Sequence, residues 1–229
     1  MPVEKEQRAW FKPGDVTRFT VDYDREMLGR GGHGIVKVGK IKFKGRKPFQ
    51  VAVKLFHDLY HPLPTAEQQQ QYEKVIRDLR AAGVRMPKMG FLMHGGARVL
   101  VSELFKRGDR TKLVYDRYAK SYLGRLTDDE KEKLLEHIAR VIRAGYPLPS
   151  DSTSFVPTKK GMQPILHDLD GLVGSKHDHE LAAAYAREWI KRMYPSFDQR
   201  EARLRAIRFL IDSAPRAARK ALKRERPKI

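Results

Sequence analysis

The segment Leu28-Gly29-Arg30-Gly31-Gly32-His33-Gly34-Ile35-Val36 places four glycines within six positions, in the spacing G-x-G-x-x-G-x-V. Glycine has no Cβ, so such a run can turn tightly and approach a ligand closely. Its exposed backbone N–H groups suit phosphate oxygens, and Leu28 and Val36 would cover the face of a base. A glycine-rich β-turn with no ligand is the other reading of the run taken alone. The residues after the glycines narrow the fold. A dinucleotide-binding fold would lead from the run into a helix. Here Ile35, Val38 and Ile41 are separated by Lys and Gly, which predicts a strand. A turn at Gly45-Arg46-Lys47-Pro48 then leads to Gln50-Val51-Ala52-Val53-Lys54-Leu55-Phe56, a second, β-branched strand. Lys54 in such a strand can point inward and meet α- and β-phosphates.

The rest of the chain reads as alternating signals. Residues 1–20 read as an irregular or short helical arm. A helix is predicted over 65–82, capped by Thr65, with Val75, Ile76 and Leu79 on one face and Gly83 ending it. Residues 88–93 and 97–105 read as strands joined at His94-Gly95-Gly96. Thr127-Asp128-Asp129-Glu130 is a capping box that opens a long amphipathic helix to about Arg143. Residues 155–157 and 164–166 predict a hairpin around Lys159-Lys160-Gly161. From 180 onward three helical stretches are expected, 180–194, 197–213 and a basic tail from Pro215. His177-Asp178-His179 reads as a solvated loop or a helix start rather than a metal site. Tyr115, Tyr118 and Tyr122 could stack on bases or pack in a core.

Taken together, the glycine run, Val51-Ala52-Val53-Lys54 and the stretches 82–88 and 99–105 resemble the protein-kinase superfamily. The similarity is greatest to its small atypical branch, the RIO-type kinases and their archaeal relatives, and extends over about residues 24–173. It implies an α+β, two-lobed protein-kinase-like fold. Residues 1–104 would form an N-terminal lobe, an antiparallel sheet plus a helix that binds nucleotide. Residues 105–229 would form a reduced helical C-terminal lobe. The resemblance implies ATP or GTP as cofactor, bound by Leu28, Gly29, Gly31, Gly32, Gly34, Val36 and Lys54. The backbone of Glu103 and Phe105 would bond the base. A glutamate on the helix after the lysine strand would hold Lys54; Glu73 is the first candidate and Glu67 the competitor.

The triplet Asp168-Leu169-Asp170 stands where the family has D-F-G. Asp168 is thereby implied as a Mg2+ ligand, with Asp170 adding a second contact. Magnesium suits hard carboxylate oxygens. The family's catalytic loop is altered: no His-x-Asp precedes the triplet, and residues 146–156 offer Asp151 as the one acid. By position Asp151 would be the catalytic base, beside Lys54 and Asp168, and Ser154 would fall at the metal-binding Asn.

Charge points to the substrate. Lys and Arg number 47 against 28 Asp and Glu, a net charge of +19. An excess this large suits a polyanionic partner. The chain carries no A-P-E element and no long activation segment, which ordinary protein kinases use to lay out a peptide. Arg187, Lys191, Arg192, Arg200, Arg203, Arg205 and Arg208 lie on the last helices, as a solvated face or as phosphate contacts. The expectation is an RNA kinase of archaeal, thermophilic type that modifies tRNA. A protein serine/threonine kinase and an RNA-binding pseudokinase are the alternatives. The chain has no cysteine, so thiolate chemistry and disulfides are excluded. It is expected to be a cytoplasmic monomer with no membrane segment.

Overall fold

In the computed structural model, residues 13–25, 27–31, 34–56, 64–104, 112–113, 123, 126–149, 152–158 and 161–224 are described. The architecture is α+β. The chain divides into two compact units, Met1–Lys74 with Pro87–Lys106, and Val75–Met86 with Arg107–Ile229.

The first unit is built on an antiparallel sheet. Its strands are β1 (Val16–Val21), β2 (Gly29–Gly31), β3 (Gly34–Phe43), β4 (Phe49–Phe56), β5 (Met89–His94) and β6 (Ala97–Glu103). The order is β1-β3-β4-β6-β5, with β2 on β3. Alternation along β4 sorts the two faces. Val51 and Val53 are fully buried and join Ile41, Val99 and Val101 in one core. Ala52, Lys54 and Phe56 point the other way. Helix α1 (Ala66–Ala81) lies on that second side, because Tyr72 meets the Phe56 and Phe91 rings edge-on at 6.0 and 5.6 Å. The helix starts as expected. Gln68 N–H donates to Thr65 Oγ1 at 3.1 Å, and the Gln68 side chain accepts from Thr65 N–H at 2.8 Å.

One expectation fails here. Strand β1 runs from Val16 to Val21, so residues 16–20 are strand rather than part of an irregular arm. Val16 pairs with Phe43 and Arg18 with Lys42, so Thr17 is an extra residue in the ladder. That bulge breaks the two-residue period and hides the strand from pattern reading.

The second unit holds the last turns of α1, a three-stranded sheet and four further helices among the described residues. Helix α2 (Asp128–Arg143) begins at the expected capping box: Glu130 N–H to Thr127 Oγ1 at 3.2 Å, Thr127 N–H to Glu130 Oε2 at 3.0 Å. It packs on β9 (Gly161–Leu166). Strand β8 (Thr153–Thr158) pairs with β9 and with the short β7 (Lys112–Leu113), which has no sequence signal. Helices α3 (His179–Met193), α4 (Arg200–Ser213) and α5 (Arg216–Arg224) pack on one another. Trp189 of α3 is buried, its indole N–H donating to the Leu148 carbonyl at 2.8 Å. Asp178 caps α3 by accepting from Leu181 N–H at 2.9 Å, so His177-Asp178-His179 is a helix start. Among the described residues, no helix is long and apolar enough to cross a membrane.

Candidate functional site

On either side of residues 32–33, the glycine run lies on the paired strands β2 and β3. Gly29 pairs with Val36 and Gly31 with Gly34. Leu28 is half-buried, and its N–H donates to the Val36 carbonyl at 2.8 Å. Gly34 is required by a close approach. A Cβ there would stand 2.3 Å from the Leu55 carbonyl oxygen, well inside van der Waals contact. The neighbouring strand therefore admits no side chain at Gly34.

Register then builds a site wall in this unit. Val36 pairs with Lys54, and Lys54 with Leu100. Residues paired across antiparallel strands project from the same face. Val36, Lys54 and Leu100 therefore form a row across β3, β4 and β6, with Ala52 two residues back along the Lys54 face. A flat apolar ring could rest on this wall with the ammonium at its edge. Lys54 is half-buried, and its ammonium lies 5.7 Å from the Phe56 ring centroid.

The two glutamates of α1 differ. Glu73 is half-buried on the flank of the Tyr72 face and accepts a 2.8 Å hydrogen bond from the Gln69 amide. Gln69 in turn accepts from Arg98 Nε at 3.1 Å. Glu67 is exposed in the first turn. Glu73 is thus the helix carboxylate held on the sheet side. At the end of β6, Glu103 N–H donates to the Lys88 carbonyl at 2.9 Å. The Glu103 side chain accepts from Lys88 N–H at 3.0 Å.

In the second unit the acidic triplet follows β9. His167 and Asp168 N–H both approach the Ser152 carbonyl, at 2.8 and 3.4 Å. Asp168 is half-buried, and its Oδ1 accepts the Asp170 N–H at 3.2 Å, closing a turn into a short 3-10 segment (Asp170–Leu172). Ser154 on β8 is only 5% exposed, and its hydroxyl has no hydrogen-bond partner among the described residues. Thr153 beside it has the same property. Buried hydroxyls are normally satisfied, so a pair left open beside a strand end is unusual. Gly32, Phe105 and Asp151 lie outside the described residues, as do Tyr115, Tyr118 and Tyr122.

Two features of this unit had no signal in the sequence. Asp78 of α1 accepts from the Tyr146 hydroxyl at 2.7 Å and from the Lys176 ammonium at 2.6 Å. Burial, followed by the hydrogen bond and charge of Asp78, pushes the Tyr146 phenol upward. His137 of α2 is 1% exposed, with both ring nitrogens unpartnered among the described residues.

The basic residues of the last helices divide by use. Arg203 donates to the Tyr194 and Ser196 carbonyls at 2.6 and 2.5 Å. Arg187 donates to the Ala221 and Leu222 carbonyls at 2.6 and 3.2 Å. Arg192 pairs with Glu188 at 2.9 Å. Lys191, Arg200, Arg205 and Arg208 are exposed. No family model matches the chain, and no curated protein matches it in sequence.

Proposed function

We propose that the chain is a kinase that moves the γ-phosphate of ATP or GTP to a hydroxyl of RNA, a ribose 2′-hydroxyl of tRNA. The observation that supports this most is the row Val36, Lys54 and Leu100 beside the glycine hairpin. A glycine turn for phosphates, an apolar wall for a base and a lysine at its edge are what nucleotide binding on a sheet requires. The resemblance to small atypical kinases supplies the rest of the two-lobed reading and the roles in the second unit.

Asp168, Asp170 and the open Ser154 hydroxyl suit Mg2+ that arrives on nucleotide. Magnesium is commonly held by one or two carboxylates while substrate phosphates and water complete its shell. When bound, it would neutralise charge on the β- and γ-phosphates. In the transfer, the RNA hydroxyl oxygen forms a bond to Pγ and the bond from Pγ to the β-phosphate oxygen breaks. The nucleoside diphosphate leaves, and Asp151 is assigned the hydroxyl proton by position in the chain. Lys54 holds the non-reacting phosphates. Positioning and charge supply most of the acceleration in such reactions, so a departure from the usual catalytic loop is compatible with activity.

The test is transfer from γ-labelled ATP, and separately GTP, into total tRNA and into protein, with Mg2+. Label in RNA that disappears in Asp168→Asn and falls sharply in Lys54→Ala is the expected result. Asn at 168 keeps the carbonyl that accepts the Asp170 N–H while removing the charge. Full activity in Asp168→Asn would overturn the metal assignment. Label confined to protein would replace the RNA acceptor with a protein hydroxyl. Nucleotide binding without any transfer would make the chain a pseudokinase.

A further inference from the structure

Helix α5 carries a purely cationic outer face. Arg216, Arg219, Lys220 and Lys223 are all exposed, while Ala218, Ala221 and Leu222 are 1–3% exposed and form its inner side. At 100° per residue the four cations fall within about a third of the helix circumference. They share one open surface with Ala217. No acidic residue lies in the helix, from Arg216 to Arg224.

This face is unfavourable in the protein alone. Arg216 with Arg219 and Lys220, and Lys223 with Arg219 and Lys220, are like-charge pairs three or four residues apart, which weaken a helix. Arg216 also opens the helix, where the dipole disfavours a cation. Yet the helix is pinned rather than frayed. Arg219 donates to the Ala214 carbonyl at 2.7 Å and to the Asp212 carbonyl at 3.3 Å, which satisfies backbone left open at the end of α4. Arg187 does the same for the last turn of α5, at Ala221 and Leu222. Arginines from within the unit therefore hold the helix while Arg216, Lys220 and Lys223 project without a hydrogen-bond or ion-pair partner among the described residues.

We infer that α5 is an RNA-docking helix whose Arg216, Lys220 and Lys223 contact the phosphate backbone of structured RNA. The inference rests on the RNA partner of the proposed function, and adds a binding surface made of none of the residues assigned to nucleotide or metal. The three cations sit at i, i+4 and i+7, about 10 Å along the axis, a length that meets a short run of phosphates. Phosphate contacts of this kind position a duplex without reading its sequence. An anionic lipid surface is the other polyanion to consider. A membrane helix of this charge inserts an apolar face, and here Ala218, Ala221 and Leu222 are already buried against the protein.

The experiment uses the full chain without nucleotide, so that it reads docking apart from transfer. Fluorescein-labelled tRNA is titrated with the wild type and with Arg216→Gln/Lys220→Gln/Lys223→Gln across a salt series. Loss of three phosphate contacts lowers the slope of log K against log salt by about 2–3, and lowers affinity roughly 100-fold near 0.1 M salt. A charge-preserving variant, Lys220→Arg/Lys223→Arg, keeps the wild-type slope. Equal urea midpoints for the three proteins establish that the fold is intact; a triple variant that unfolds early is replaced by the single Lys220→Gln, with a slope change of about 0.7–0.9 expected. Unchanged slope and affinity overturn the inference. So does binding to phosphatidylglycerol vesicles that depends on these residues while tRNA binding does not. Salt-dependent docking through α5 in a protein that transfers no phosphate would leave the docking face standing and remove the kinase reading.

Discussion

His137 gives the sharpest quantitative prediction. It lies on the inner side of α2, 1% exposed, and neither ring nitrogen has a partner among the described residues. Burial, and then the charges of Arg140 and Arg85, lower its pKa from 6.5 to about 3. The imidazole is therefore neutral in the folded protein at pH values where the unfolded chain holds a proton. Its depressed pKa contributes stability above pH 6.5 that is lost as pH falls toward 3. At pH 4.5 the loss from this one group is about 2.7 kcal/mol relative to pH 7.5. His137→Met removes both unsatisfied nitrogens at similar volume, and at pH 7.5 it should lie within about 1.5 kcal/mol of the wild type. Urea unfolding at the two pH values tests this, followed by Trp189 fluorescence. A Trp10→Phe background leaves Trp189 as the single tryptophan. Every other histidine and carboxylate is common to both proteins, so the difference isolates position 137. Equal losses on acidification in the wild type and His137→Met would refute the buried neutral imidazole.

Two further substitutions test the framework. Tyr146→Phe removes a 2.7 Å hydrogen bond to a carboxylate and should cost about 1.5–3 kcal/mol, read as a fall in the urea midpoint; an unchanged midpoint contradicts the Asp78 junction. Gly34→Ala forces a Cβ to 2.3 Å from the Leu55 carbonyl and should destabilise by about 1–3 kcal/mol. Gly29→Ala meets no heavy atom within 4 Å and should stay within about 0.5 kcal/mol of the wild type. Equal midpoints for the two glycine variants would show that β3 and β4 are not packed as described.

The sequence was most informative where a local rule acts alone. The Thr127 box, the turn at Gly95-Gly96 and the hairpin around Gly161 all depend on residues a few positions apart, and each stands where the spacing predicts. Strand β1 was lost because Thr17 adds one residue to its ladder and shifts the alternation. That Glu73 is half-buried and Glu67 exposed depends on which side of the helix meets Phe56 and Phe91, which sequence gives only once the sheet is in place. Asp78, Tyr146 and Lys176 converge across separations of 68 and 98 residues. No periodicity spans that distance. The hydroxyls of Thr153 and Ser154, without partners among the described residues, were equally hidden, since polarity is legible in a sequence and missing partners are not.

Net charge is a poor guide to binding for a similar reason. A formal charge of +19 invites the picture of a uniformly adhesive surface. Arg187, Arg203 and Arg219 are instead engaged by backbone carbonyls, and Arg192 by Glu188. An arginine that bridges carbonyls at a helix end keeps its charge but loses the freedom to reorient onto a phosphate. The salt dependence of RNA binding should accordingly follow the few exposed cations that share a face, not the total. Because each phosphate contact contributes about 0.7–0.9 to the slope, a measured slope near 3 that is lost in Arg216→Gln/Lys220→Gln/Lys223→Gln would place binding on the α5 face. A slope above about 10 would require phosphate contacts far beyond it and would make α5 one part of a much larger interface.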